Sequence, residues 1–485
     1  MTVSHTENSV VERGLFIGGT WRNASDGGHV TVHSPVDGRV VGRAATATPG
    51  DVADAVAAAR GAFDRGPWPL LSHAERGEYL LRLAAELDRD VETAAHTVLG
   101  ETGLSIHMAR NNAEALSELL RHYVDTTPSS ALVEEREGTS GVRALVEKVP
   151  VGVVAAIVPW NAPLRLAAFK VAPALLAGCT LVLKPSPETP LSIHFLADAA
   201  VRAGIPDGVI NIVAADVEAS RALVEHPDVD KISFTGSTAV GRSIAASAAG
   251  TFKRVTLELG GKSAVVVLDD APLDRVVQDI ASFLPLNNGA ICAMPSRLLV
   301  SERRKDEVVS ALVEALEKTV VGDPADPDTQ LGPMINRRHY ERVLGYIDAA
   351  RAEGGHVVTV GSHPEGDTYG AYVRPTVITD VSADSAVAQE EIFAPVLTVL
   401  VYRDEDHAVD IANRSVFGLS GAVYGTDPER ALSVARRIRT GTVNINHPLR
   451  FDPAVPCGGF KASGYGRELG PEGLHAYLET RSVFL

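Results

Sequence analysis

Short apolar runs alternate with helical stretches from residue 151 onward, and this alternation limits the possible folds more than any other feature of the chain. Strands are predicted at 151–158, 180–183, 209–213 and 231–234, with helices at 164–177, 190–204 and from about 237. A second alternating series follows Gly260, with strands at 264–268, 298–300, 396–401, 420–424 and 442–445 and helices at 303–317 and 428–439. Because such alternation is typical of parallel sheets with helices on both faces, we predict two α/β domains that meet near residues 258–270.

Composition excludes several classes of protein. The 485 residues, 45% hydrophobic and 22% charged, match an ordinary globular chain of several domains. The formal charge of −16 disfavours binding to nucleic acid or to an anionic membrane surface. The most apolar region, residues 151–183, is interrupted by Pro159, Arg165 and Lys170, so no membrane span is expected.

The three cysteines form no Cys-x-x-Cys pair, so neither a disulfide framework nor a metal site is expected. A reducing, cytoplasmic location fits this cysteine usage.

Helix caps and two extended segments complete the organisation of the chain. Asp51 is predicted to cap one helix, Ser72 and Glu75 to form a capping box at the next, and Gly178 to end the helix at 164–177. Segments 131–150 and 477–485 fit neither domain and have the character of exposed strands. Such strands usually pair with another chain segment, so contact with a second subunit is a possibility.

Polar residues follow the predicted strands at 159–161, 184–186, 214–216 and 235–237. In an open parallel sheet, ligands bind beyond these carboxyl ends. The segment 234–241 is a strand end, a glycine turn and a helix N-terminus that could hold a phosphate, although a purely structural turn is the alternative. Lys184 is a candidate ligand-binding cation, and a surface lysine with its stem along apolar residues is the alternative.

Cys292 and Glu258 are candidates for catalysis. Cys292 follows a turn of small residues and would be a strong nucleophile if nearby dipoles lowered its thiol pKa; an inert buried cysteine is the alternative, and Cys179 fits that alternative well. Glu258 lies between two leucines, where desolvation would raise its carboxyl pKa towards the range of a general base, and a salt-bridged structural acid is the alternative.

A series of ordered motifs resembles the aldehyde dehydrogenase superfamily from Phe16 to the final strand. The motifs are Pro159-Trp-Asn-Ala-Pro-Leu164, Lys184-Pro-Ser186, Phe234-Thr-Gly-Ser237, Leu257-Glu-Leu-Gly-Gly-Lys262, the Cys292 segment, Gln389-Glu-Glu-Ile-Phe393, Gly458-Gly-Phe-Lys461 and Ser463-Gly-Tyr-Gly-Arg467. The resemblance implies two parallel-sheet α/β domains plus a small β oligomerisation arm. Residues 1–127 and 149–258 would form the nucleotide-binding domain, 259–470 the catalytic domain, and 128–148 with 471–485 the arm.

The resemblance also implies roles for individual residues. Cys292 would be the catalytic thiol, Glu258 the acid that activates water, and Asn161 the amide that forms the oxyanion hole with the Cys292 backbone N–H, while Lys170 and Glu468 would form a proton relay. The implied cofactor-binding residues are Ile157, Pro159, Trp160, Lys184, Ser186, Pro187, Phe234, Gly236, Ser237, Gly241, Leu259, Glu391 and Phe393. The implied substrate tunnel contains Ala162, Leu166, Phe169, Ile291, Ala293, Arg450 and the loop 446–455.

Departures from the family pattern affect the choice of cofactor and substrate. Pro187 stands where many NAD-preferring members carry a glutamate, and Glu188 comes one position late. Without that glutamate there is less repulsion against the 2′-phosphate of NADP. The cofactor is therefore expected to be NAD or NADP, with NAD favoured. Ala290 replaces a common glutamine. The small side chains of Ala162 and Ala293 suggest room for a bulky or branched aldehyde, whereas Arg165, His447 and Arg450 could instead recognise a carboxylate. Cys457 has no assigned role.

The implied function is oxidation of a small-molecule aldehyde to its carboxylic acid with NAD(P)⁺, through a cysteine thiohemiacetal and a thioester that glutamate-activated water hydrolyses. Two alternatives remain: transfer of the acyl group to coenzyme A, which the presence of Glu258 disfavours, and a catalytically silent binding or structural homologue. The arm implies a homodimer or homotetramer.

Overall fold

The computed structural model describes residues 11–128, 132–362 and 369–485. Its strands are β1 (Val11–Arg13), β2 (Leu15–Ile17), β3 (Thr20–Arg22), β4 (His29–His33), β5 (Val40–Ala45), β6 (Val133–Glu137), β7 (Arg143–Pro150), β8 (Val153–Ile157), β9 (Thr180–Lys184), β10 (Ile210–Ile212), β11 (Lys231–Thr235), β12 (Arg254–Glu258), β13 (Ser263–Val267), β14 (Pro295–Ser301), β15 (His356–Thr359), β16 (Thr376–Thr379), β17 (Val396–Tyr402), β18 (Ser420–Tyr424), β19 (Thr442–Ile445), β20 (Gly464–Tyr465) and β21 (Leu478–Phe484).

The α-helices are α1 (Pro49–Arg65), α2 (His73–Arg89), α3 (Val91–Thr102), α4 (Ile106–Thr126), α5 (Pro163–Ala177), α6 (His194–Ala203), α7 (Val217–Glu225), α8 (Thr238–Ala249), α9 (Leu273–Phe283), α10 (Lys305–Leu316), α11 (Arg337–Ala352), α12 (Ala386–Gln389), α13 (Glu405–Arg414), α14 (Pro428–Ala435) and α15 (Gly470–His475). Among these described helices, none combines the length and the apolar composition needed to cross a membrane.

The first large sheet has the strand order β20-β12-β11-β8-β9-β10-β2-β3. Its five central strands, β12 to β10 in that order, are parallel, while β20, β2 and β3 join the two edges in antiparallel orientation. Strands β8, β9 and β11 are buried along their whole length because helices cover both faces, which explains their nearly continuous apolar sequences. Strand β20 comes from the segment 259–470, so that segment contributes to the first sheet as well.

The second large sheet has the order β15-β16-β17-β14-β13-β18-β19. Strands β16 to β19 in that order run parallel, and β15 closes one edge in antiparallel orientation. The five strands predicted after Gly260 are all present here, whereas β15 and β16 were not predicted. The parallel α/β architecture expected from the alternation of strands and helices is therefore confirmed.

The extended segments near 131–150 and 477–485 form a separate antiparallel sheet, which we call the arm sheet: β21-β7-β6. Strand β21 pairs with β7 over seven residues, from Leu478 opposite Pro150 to Phe484 opposite Ala144. Every residue of β6 is exposed. Residue 131 of the predicted segment lies outside the described residues.

Two helix starts differ from their predictions. Thr48, and not Asp51, caps α1; Asp51 is the N3 residue of a capping box and accepts a hydrogen bond from the Thr48 backbone N–H. Helix α6 begins at His194 and not at Pro190, because residues 191–193 form a turn in which the buried Glu101 side chain accepts from the backbone N–H groups of Leu191 and Ser192. The Ser72 capping box and the left-handed Gly178 after α5 (φ 96°) are both confirmed.

Candidate active site

A cavity of about 1030 Å³ opens along the carboxyl edge of the first sheet, where a ligand site was expected. Fifteen of the predicted site residues line it: Ile157, Pro159, Trp160, Asn161, Leu166, Lys184, Ser186, Pro187, Phe234, Gly236, Ser237, Leu259, Cys292, Glu391 and Phe393. Residues from β8, β9, β11 and α8 meet Cys292, residues from α11 and the segment 391–393, which belong to the part of the chain that forms the second sheet.

Lys184 ends β9 inside this cavity. Burial lowers the pKa of its ammonium to about 8, and the nearby Glu188 carboxylate opposes this shift. Within the described residues, no group accepts a hydrogen bond from Lys184 Nζ. Next to it, the Ser186 hydroxyl donates to the Glu188 carboxylate, which also lines the cavity. The wall therefore offers a buried cation without a hydrogen-bond partner beside a carboxylate.

The N-terminus of α8 faces the same cavity. Ser237 caps the helix, and its hydroxyl accepts a hydrogen bond from Val240 N. Gly241 was predicted to bind cofactor, but it does not line the cavity; it is buried where a Cβ atom would lie 2.5 Å from Leu259 Cδ2. Gly241 thus permits close packing of α8 on Leu259, which itself lines the cavity.

Aromatic rings enclose one region of the cavity. The ring centroids of Trp160 and Phe393 lie 5.4 Å apart and those of Trp160 and His339 lie 5.6 Å apart, both edge to face. His339 Nε2 donates to the Phe393 carbonyl at 2.8 Å, which holds Phe393 at a positive φ of 64°. Glu391 accepts from Gly261 N at 3.1 Å, and burial raises its pKa to about 7. His339 was not predicted, because a single histidine in an amphipathic helix carries no distinguishing pattern.

Cys292 and Asn161 lie in the cavity wall. The Asn161 amide donates to the Ala290 carbonyl, two residues before Cys292, at 2.8 Å. The condition for a strong nucleophile, a lowered thiol pKa, is not met here: burial raises the pKa of Cys292 to about 12, and the carboxylates of Glu391 and Glu258 add to the rise. The thiol therefore needs a base, or a change in its surroundings, before it can attack.

Glu258 ends β12 behind the cavity wall rather than in it. It is 6% exposed, and its Oε1 has no hydrogen-bond partner among the described residues. Burial raises its carboxyl pKa well above the usual value, the Glu468 carboxylate raises it further, and Lys170 and Arg467 oppose the rise. Glu258 is therefore a desolvated acid, as expected, and among the described residues it forms no salt bridge of the kind that a structural acid would form.

Lys170 and Glu468 form a buried ion pair, with Lys170 Nζ 2.5 Å from Glu468 Oε1. Lys170 also donates to Thr235 Oγ1 at 2.8 Å and to Ser233 Oγ at 3.3 Å. The pair is close enough to Glu258 to shift its pKa, as a proton relay requires.

The predicted tunnel residues are more dispersed. Leu166 lines the cavity, Phe169 packs with it against the core of the first sheet, and Ile291 and Ala293 form a cluster with Leu449 and Cys292. Ala162 is buried at the start of α5. Arg450 is exposed and outside the cavity, and Arg165 donates to the Asn111 carbonyl at 3.1 Å.

Cys457 packs against the same core as Leu166 and Phe169, and its backbone pairs with that of Glu468. Burial raises its thiol pKa well above the usual value, and the carboxylate of Glu258 adds to this shift. It therefore lies close to the catalytic candidates.

Comparisons with known proteins agree with this geometry. The profile of the aldehyde dehydrogenase family matches residues 21–483, so the chain belongs to that family. It is 42% identical to geranial dehydrogenase from Castellaniella defragrans over the full length of both chains. An NAD-dependent aldehyde dehydrogenase from Sinorhizobium meliloti superposes with a TM-score of 0.95 at 38% identity, covering 99% of this chain and 95% of that one. A Mycobacterium tuberculosis aldehyde dehydrogenase complexed with NAD⁺ superposes with a TM-score of 0.94 at 41% identity, covering 98% and 99%.

Proposed function

We propose that the protein oxidises apolar aldehydes to carboxylic acids, with NAD⁺ as the oxidant and Cys292 as the covalent nucleophile. The observation that carries this proposal is the meeting of three groups at one cavity. A thiol and an amide donor lie in the wall, and the buried Glu258 carboxylate, whose Oε1 has no hydrogen-bond partner among the described residues, is close enough to raise the thiol pKa of Cys292.

The cavity fits a dinucleotide. Lys184 offers a buried cation without a hydrogen-bond partner, suited to ribose hydroxyls, and the N-terminus of α8 at Gly236 and Ser237 suits a pyrophosphate. Glu391 would accept from the second ribose, and Phe393 would lie against the nicotinamide. NAD⁺ supplies the hydride acceptor when bound. The relatives that carry NAD⁺ or are named NAD-dependent support this choice.

Addition to the aldehyde begins with loss of the Cys292 proton, which Glu258 can accept directly or through water. The thiolate then attacks the carbonyl carbon, and the negative oxygen that forms accepts hydrogen bonds from the Asn161 amide and the Cys292 backbone N–H. One such donor is typically worth about 3 to 4 kcal/mol of transition-state stabilisation. A covalent nucleophile separates oxidation from hydrolysis, and each is easier than the combined step.

Hydrolysis releases the product from the Cys292 thioester. The Glu258 carboxylate takes a proton from water as that water attacks the thioester carbon, and the C–S bond breaks to give the carboxylic acid and the Cys292 thiolate. The ion pair of Lys170 and Glu468 lies next to Glu258 and offers a path for the proton that Glu258 gains. Transfer to coenzyme A would not need this base, which is why we favour hydrolysis.

An apolar substrate is supported by the residues around the nucleophile. Ile291, Ala293 and Leu449 pack together with Cys292, and Leu166 lines the cavity near it. The similarity to geranial dehydrogenase agrees with an apolar, branched substrate. The arm sheet supports a homodimer or homotetramer.

The function is tested with Cys292→Ala and with Cys179→Ala as its matched control, since Cys179 is fully buried and away from the cavity. We expect Cys292→Ala to lose aldehyde-dependent NAD⁺ reduction while still binding NAD⁺, and Cys179→Ala to keep both. The wild-type enzyme is screened with geranial, betaine aldehyde and succinic semialdehyde, with and without coenzyme A. Normal oxidation by Cys292→Ala, or acyl-CoA as the product, would contradict the proposal.

A further inference from the structure

The side chain of Asn287 joins the two parts of the oxyanion hole. Asn287 is buried, and its Nδ2 donates to the Asn161 carbonyl at 2.8 Å and to the Ala290 carbonyl at 3.0 Å. The same Ala290 carbonyl accepts from the Asn161 side chain at 2.8 Å. One carboxamide therefore uses both of its N–H groups to connect the segment that carries Asn161 with the segment that carries Cys292.

The two connected segments belong to different sheets, and the two bonds of Asn287 add to the direct bond between the Asn161 side chain and the Ala290 carbonyl. Asn161 lies in the connection between β8 and α5 of the first sheet, whereas Ala290 and Cys292 lie in the connection that leads to β14 of the second sheet. An oxyanion hole functions only when its donors are held about 3 Å from the oxygen before the reaction begins. The Asn161 amide has two N–H groups, and its bond to Ala290 fixes the orientation of the other one.

The backbone around Asn287 is held in an uncommon conformation. Asn287 and Asn288 both adopt left-handed angles, with φ of 53° and 55°. Asparagine tolerates this region better than most residues, but it still carries a cost, so other contacts must maintain it. Asn288 provides them, because its amide donates to the Gly103 and Pro333 carbonyls, both at 3.0 Å, and its oxygen accepts from Gly332 N at 2.8 Å.

We propose that Asn287 is a positioning residue that sets the oxyanion hole by fixing Asn161 and the Cys292 segment relative to each other. The proposal rests on the proposed function, because it takes Cys292 as the nucleophile. Asn287 touches neither substrate nor reacting atoms; it acts through the carbonyls of Asn161 and Ala290.

Two chemical probes of the cofactor-free enzyme separate this role from a general structural one. p-Nitrophenyl acetate acylates Cys292 through a tetrahedral oxyanion: the S–C bond forms, p-nitrophenolate leaves and the thiol proton passes to a base. Iodoacetamide alkylates the same thiol by direct displacement of iodide, and no oxyanion forms on its carbonyl. Only the first reaction needs the hole, so the ratio of the two rates reports its geometry.

The variant Asn287→Gly keeps the left-handed backbone and removes both hydrogen bonds. Misplacement by about 1 Å can cost about 100-fold in rate, so we expect acylation to slow by at least about tenfold while alkylation changes by less than about twofold. Asn287→Asp is the second variant, because a carboxylate keeps the size of the side chain and donates no hydrogen bond. It should show the same change in the ratio of the two rates.

Asn211→Gly is the matched control. Asn211 is also buried, and its amide also donates to two carbonyls, those of Leu181 at 3.2 Å and Gly208 at 2.8 Å, but it does not line the cavity. The ratio of the acylation rate to the alkylation rate in Asn211→Gly should equal that of the wild type. A parallel fall of both rates in the Asn287 variants, or no fall in either, would overturn the proposed role. Failure of p-nitrophenyl acetate to label Cys292 in the wild type would count against the proposed function instead.

Discussion

At the scale of single residues, the charge on Glu258 depends on its buried neighbours. Burial is the main cause of its raised pKa, and the Glu468 carboxylate is the next largest. A general base works as the carboxylate, so hydrolysis of the thioester should rise with pH through the pKa of Glu258 and fail below it.

Glu468→Gln should therefore shift the rising limb of this pH profile to lower pH. Lys170 opposes Glu468 but has the smaller effect on the Glu258 pKa, so removal of the Glu468 charge should lower that pKa. Single-turnover measurement of thioester hydrolysis between pH 5 and about 10 tests this. Glu479→Gln, which changes the net charge equally at an exposed pair with Arg254, should leave the profile in place. A limb that moves to higher pH would contradict the expectation.

Glu188 should select NAD⁺ against NADP⁺. Its carboxylate lines the cavity beside Lys184 and would repel a 2′-phosphate. We expect Glu188→Gln to move the ratio of the two dissociation constants towards NADP⁺ by about tenfold, or about 1.4 kcal/mol. Fluorescence titration of both dinucleotides measures the ratio. Glu78→Gln on the exposed face of α2 is the control for net charge, and an unchanged ratio in Glu188→Gln would show that another group discriminates.

Single residues also mark the limit of what the sequence could predict. Motifs placed Asn161, Lys184, Cys292 and Glu391 at one cavity correctly, because each follows a strand or a turn that the fold brings to the same edge. The direction of the Cys292 thiol pKa shift could not be predicted, because it depends on burial and on carboxylates that are distant in sequence. Asn287 could not be predicted either, because its role depends on a contact with the Asn161 carbonyl across 126 positions.

At the scale of elements, the packing of α8 on Leu259 sets the position of the predicted pyrophosphate site. A Cβ atom on Gly241 would lie 2.5 Å from Leu259 Cδ2, so Gly241→Ala must displace the helix or the leucine. Overpacking of this kind typically costs about 1–3 kcal/mol. We expect a lower melting temperature and weaker NAD⁺ binding in titration calorimetry.

Gly345→Ala is the matched control for this prediction. Gly345 also lies within a helix, α11, but nothing is within 4 Å of an added Cβ atom there. Alanine should stabilise that helix by about 0.5–1 kcal/mol and leave NAD⁺ binding unchanged. If Gly241→Ala and Gly345→Ala had the same melting temperature and the same affinity for NAD⁺, the contact between α8 and Leu259 would not be tight.

Elements with strong periodicity could be predicted closely, and short or edge elements could not. Strands β18 and β19 match their predicted limits, since both are apolar runs flanked by turns. Strand β20 has only two residues and is defined by its pairing with β12, which leaves no local pattern. The start of α6 was misplaced because the Glu101 carboxylate, about 90 residues away, holds the preceding backbone.

At the scale of the whole molecule, the arm sheet links the surface to the catalytic region. Arg254 at the start of β12 pairs with Glu479 of β21 at 2.5 Å. Just before β21, the Tyr477 hydroxyl is 3.1 Å from Ser233 Oγ, which accepts from Lys170. The residue that leads into β21 is therefore hydrogen-bonded to Ser233, which also accepts from the lysine of the ion pair beside Glu258.

The arm sheet is expected to join subunits. Strand β6 is an exposed edge, and β21 ends in the exposed apolar side chains of Val483 and Phe484, which exposed Leu485 follows. An open edge of this kind is usually covered by another chain, so light scattering should give a mass of two or four times 51.2 kDa. Removal of residues 478–485 takes the partner strand from β7 and should reduce the mass towards 51.2 kDa. Leu70→Ser, which removes an exposed leucine far from the arm in the chain, should keep the assembly. If the full-length chain were already a monomer at assay concentration, the arm would need a different role.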